Sequence, residues 1–94
     1  MADDLTFYKR ADAFIHLANE QVKGEVTPGD VSASAMFAVA RYNAYSSAID
    51  ADSAEVFKAE REGIIEYFTE EYRKMLIEHL DDYAENFDKY MTVD

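Results

Sequence analysis

Apolar residues recur along this chain at three- and four-residue intervals in three long stretches, the period that places side chains on one face of an α-helix. In the first stretch Phe7, Tyr8, Ala11, Phe14, Ile15, Ala18 and Val22 align, while Asp12, His16 and Glu20 collect on the opposite side. The spacing predicts an amphipathic helix over about residues 4–23. Asp3 or Asp4 is placed to cap its start, and Gly24, which tolerates a left-handed backbone, is placed to end it.

The second stretch opens with Thr27-Pro28-Gly29-Asp30. Thr27 suits an N-cap, Pro28 the first helical position, and Asp30 the place where a carboxylate meets unpaired amides. A helix over about 28–50 follows. Between Val31 and Ile49 the only formal charge is Arg41, and six alanines and four serines leave apolar or small residues on nearly every side. A helix of that kind is expected to be packed on several faces, with Met36, Phe37, Val39, Tyr42, Tyr45 and Ile49 as its larger knobs.

The third stretch is roughly twice as long. After Asp50-Ala51-Asp52-Ser53, with Asp52 and Glu55 spaced for reciprocal capping, a stripe runs through Phe57, Ile64, Ile65, Phe68, Tyr72, Met75, Leu76, Leu80, Tyr83, Phe87 and Tyr90. It predicts one helix over about 53–91, with a break near Asp81-Asp82 as the alternative. A continuous helix of that length spans about 57 Å, against about 30 Å for each of the other two, at 1.5 Å per residue. The expected fold is therefore all-α, a three-helix antiparallel arrangement in a single domain, residues 1–94, with a long C-terminal helix. Its far half lacks cover, so two copies are expected to join in a dimeric helical bundle. The expected seam comprises Tyr72, Met75, Leu76, His79, Leu80, Tyr83, Phe87 and Tyr90.

Composition sharpens this picture. A chain of 94 residues has a thin core, and without cysteine it has no disulfide to supplement it, which leaves oligomerisation as the usual recourse. A net charge of −11 repels phosphate backbones and anionic lipid headgroups, so neither nucleic acid nor a membrane surface is an expected partner. Alanine is only weakly hydrophobic, and Arg41, Asn43 and the serines oppose a membrane span in the second stretch. The opening MADDLTFYKR shows no secretion signal, so a cytoplasmic location is expected.

The segments FYKRADAFIHLANEQ, SASAMFAVARYNAY and YFTEEYRKML resemble a small proteobacterial family of proteins of unknown function. The resemblance covers most of the chain and implies a bacterial origin. It implies no activity, cofactor or partner, and no functional residue carries over from it.

Candidate chemistry is sparse. Ferritin-like bundles bind paired metals through Glu-x-x-His, but Leu76 stands three residues before His79 and Ala13 three before His16. No metal site, catalytic residue or cofactor is expected. Asp12, His16 and Glu20 fit a solvated face, and the serines fit helix packing better than nucleophilic catalysis. Gly63, inside the third helix, suggests close packing. Arg41 is the unusual residue, because a buried guanidinium must be paired. Glu60, Glu62 and Glu66 are its expected partners if the second and third helices run antiparallel, and Arg41, Asn43 and Tyr45 with Glu62 and Glu66 form either a buried ion pair or a small polar site. The leading functional expectation is a non-enzymatic, dimeric protein-interaction module, with a further protein partner left open. The alternative is a metal- or ligand-binding enzyme with its site at the subunit interface around His79.

Overall fold

In a computed structural model of the protein, the backbone is described for residues 2–91 and the side chains for residues 6–91. Within that range the chain is helical throughout, with short connections: α1 (Ala2–Gln21), α2 (Pro28–Ile49), α3 (Ala54–Ala59), α4 (Arg61–Glu85) and α5 (Phe87–Met91). Two compact units divide it, Met1–Tyr45 and Ser46–Asp94.

The first unit holds α1 and most of α2. Asp3 and Asp4 fall inside α1 and not ahead of it, and their side chains lie outside the described residues. Beyond Gln21 the chain turns through a bond from Val22 N–H to the Asn19 carbonyl and one from Val26 N–H to the Lys23 carbonyl. Gly24 sits between them at φ 61°, where a Cβ is disfavoured. The start of α2 is a reciprocal cap. Asp30 N–H donates to Thr27 Oγ1 at 3.1 Å and Thr27 N–H donates to Asp30 Oδ2 at 3.0 Å, so two amides without helical partners are satisfied by two side chains. One turn on, Val31 is the only buried residue among those described. The backbones of α1 and α2 make almost no close approach, and Phe14, Ile15, Phe37 and Tyr42 stand exposed. Antiparallel side-by-side packing of the first two helices, expected from the stripes, is not formed. A stripe identifies a face that needs cover without specifying which surface supplies it.

The second unit contains the end of α2 and the remaining helices. Ser53, one residue beyond the expected Asp52, is the cap of α3: its extended backbone (φ −159°, ψ 166°) lets Oγ accept from Val56 N–H at 3.2 Å. The single long helix predicted for 53–91 is three. At Glu60 (φ −91°, ψ 0°) one N–H is shared between the Val56 and Phe57 carbonyls at 3.1 Å each, a local tightening that separates α3 from α4. The second break falls at Asn86 and not at Asp81-Asp82, which lie within α4. Phe57, Ile64 and Phe68 are half-buried near the first break, with the Tyr67 and Phe68 rings edge to face at 5.1 Å.

Gly63 lines an open groove with Ser46, Ser47, Asp50 and Tyr67. A Cβ built on it would meet nothing within 4 Å, so the close packing expected of this glycine is absent. Gly63→Ala should therefore stabilise the protein by about 0.5–1 kcal/mol, by raising helix propensity and narrowing the unfolded ensemble. Chemical denaturation of the variant reads this directly; a loss of stability would mean that the groove is filled in the working protein.

Candidate interaction surface

α4 carries the apolar stripe outward. Ile65, Thr69, Tyr72, Leu76, Leu80 and Tyr83 succeed one another at intervals of four, three, four, four and three residues, so they share one face of a continuous helix. None is buried: Tyr72, Leu76 and Tyr83 are between 41% and 48% exposed and Leu80 reaches 59%. Met75, on the edge of this face, and His79 are exposed as well. Beside the first two turns of the stripe lies an acidic shelf formed by Glu62, Glu66 and Glu70 around Ile65 and Thr69. Glu62 pairs with its neighbour Arg61, whereas neither Glu66 nor Glu70 has an ion-pair partner among the described residues.

The stripe ends in a side-chain knot. Asn86 Nδ2 donates to the Asp82 carbonyl at 3.1 Å and to Asp82 Oδ1 at 2.9 Å, while Asn86 N–H also reaches that carbonyl at 3.0 Å. A side-chain amide that bonds the previous turn competes with helix propagation, and Asn86 leaves helical geometry at φ −115°, ψ 30°. Tyr90 O–H then donates to Asp82 Oδ2 at 2.9 Å, and its ring lies 4.6 Å from that of Tyr83. Tyr90 is thus tied into its own chain, whereas Phe87 remains 59% exposed. The spacing Asp82, Asn86, Tyr90 at successive intervals of four was the available sequence signal for this knot, and periodicity reading alone assigned Tyr90 to the stripe.

The bond to the Asp82 carboxylate, with lesser effects of desolvation and of the Asp82 and Tyr83 charges, raises the Tyr90 hydroxyl above its ordinary value near 10. An acid whose folded value is raised adds stability below its unfolded value and loses it as pH climbs through the folded one. The knot therefore holds at neutral pH and loosens above pH 10. A spectrophotometric titration should show a late-ionising tyrosine that disappears in Tyr90→Phe and moves earlier in Asp82→Asn. Superimposable curves for the wild type and Asp82→Asn would dismiss the bond.

On α2 the guanidinium of Arg41 lies 5.1 Å over the Phe37 ring, one turn earlier. Within its unit Arg41 is exposed, and its guanidinium contacts an aromatic face of its own helix. Asn43 is half-buried and Tyr45 is exposed, its ring 5.7 Å from that of Tyr42. On α1, His16 Nε2 pairs with Glu20 Oε2 at 3.1 Å on an open surface. Among the described residues no three His, Asp or Glu side chains converge as metal ligands, and no helix is long and apolar enough to cross a membrane.

Fold and surface together define a small all-helical protein in which most of the large apolar side chains among the described residues are exposed. The chain belongs to a family described as "Protein of unknown function (DUF3144)", whose pattern matches residues 7–84. The resemblance read from its three segments is thereby borne out. The chain is also similar to the protein NB7890A from Shewanella sp., whose structure was determined by NMR: 41% identity over 89% of this chain and 88% of that one, with a TM-score of 0.76. No curated protein matches.

Proposed function

We propose that this protein is a non-enzymatic helical interaction module that works as a homodimer, joined along the far half of α4 with Tyr72, Met75, Leu76, His79, Leu80 and Tyr83 in the seam and Phe87 of α5 at its edge. The observation that carries this reading is the exposure of the α4 stripe in a chain where Val31 alone, among the described residues, is buried. An apolar strip of this extent on one helix marks an association site, and a symmetric partner presents the same strip. The helices have too little internal cover to stabilise a 94-residue chain singly.

Sedimentation equilibrium at micromolar concentration tests the reading. A mass twice that of the 10.7 kDa chain is expected, with a melting temperature that rises with protein concentration because association and folding are linked. A stable, folded monomer whose melting is independent of concentration would reject it.

A further inference from the structure

Resting on the dimer reading above, we propose that Arg41 of one subunit pairs with the Glu66–Glu70 shelf on α4 of the second copy, and that this contact sets the register in which two copies join.

Three observations converge on this pairing. Arg41 is the one formal charge between Val31 and Ile49, on a helix with exposed Met36, Phe37, Val39, Tyr42 and Tyr45. A helix apolar on nearly every side is a helix to be covered, and whatever covers it must meet the guanidinium with a carboxylate. The Phe37 ring lies 5.1 Å from the Arg41 guanidinium carbon and leaves that exposed guanidinium, whose planar fork suits a carboxylate, at the surface.

The complementary surface is the acidic shelf. Ile65 and Thr69 continue, in unbroken helical register, the stripe assigned to the seam, so a second copy laid along that stripe passes beside Glu66 and Glu70. These two carboxylates are without ion-pair partners among the described residues, and two copies of a chain with net charge −11 repel unless a cation meets them. Lys74 and Arg61 are already engaged with Glu71 and Glu62. Arg41 is the cation carried on an apolar, cover-seeking surface. Two-fold symmetry makes the contact twice per dimer, which doubles its weight in choosing the register.

Charge reversal with subunit mixing tests this. Arg41→Glu and the double variant Glu66→Lys/Glu70→Lys should each keep far-UV helicity, since all three side chains are exposed, while the dimer dissociation constant rises about 10- to 100-fold. Mixing the two variants should restore near wild-type affinity, because in the mixed dimer both contacts again join opposite charges. Arg10→Glu, a reversal on α1, should leave the dissociation constant within about threefold of wild type. If the reversed variants dimerise as tightly as wild type, the pairing is wrong while the dimer stands. If both weaken and the mixture stays weak, the pairing is not between subunits. A monomeric wild-type protein removes the dimer reading and this one with it.

Discussion

Replacing Leu80 and Phe87 together with glutamate is expected to abolish the proposed dimer at micromolar concentration. Both side chains are 59% exposed in the single chain, and each placed in a seam contributes about 1.5–3 kcal/mol by leaving water. Symmetry applies every substitution twice. Four glutamates introduced into one apolar seam also repel one another and lose hydration, a penalty larger than the lost burial. Dissociation should therefore be complete within the range that light scattering reads, either as soluble monomers of reduced stability or as aggregate from chains that cannot find cover. Tyr90→Phe serves as the matched control, since that ring is already engaged with Asp82 and Tyr83. An unaltered dimer in the glutamate variant would move the seam away from α4.

The second large effect is expected at the start of α2. Val31 is 6% exposed and directly follows Asp30, its N–H bonded to the Thr27 carbonyl at 3.1 Å, so it is part of the capped turn that opens α2. Val31→Asp places a carboxylate at a buried position and should cost more than about 3 kcal/mol. Val31→Ala, which removes only methyl groups, should cost about 1–2 kcal/mol. Denaturant unfolding of the pair distinguishes charge burial from cavity formation by the gap between them. Equal and small losses would mean that Val31 is open in the working assembly.

The helical character and the first turn were legible for a local reason. A cap, a proline at the first helical position and a glycine at positive φ act over four or five residues, so Gly24 and Thr27-Pro28-Gly29-Asp30 announce their structure without knowledge of anything distant. The breaks in the third stretch were less legible. Neither Glu60 nor Asn86 is a strong helix breaker by composition. Asn86 interrupts the helix because its side chain finds the Asp82 carbonyl and carboxylate, and Asp82 in turn is held by Tyr90. That outcome depends on three residues meeting at once, which a stripe drawn at fixed period does not register. Arg41 poses a similar problem: an uncharged helix marks its one charge as unusual, but that the guanidinium rests over the Phe37 ring one turn earlier depends on where two side chains meet.

Amino-acid order alone determined that this chain forms helices, where the first connection falls, that the surface is acidic, and which faces are apolar, because each of these follows from spacing, capping and charge within a few residues. Only the tertiary structure decided that the apolar faces stay open, that the long C-terminal stretch divides at Glu60 and Asn86, and that Tyr90 turns back onto Asp82. Those outcomes rest on which surfaces come together, and periodicity specifies that a face seeks cover without specifying what provides it.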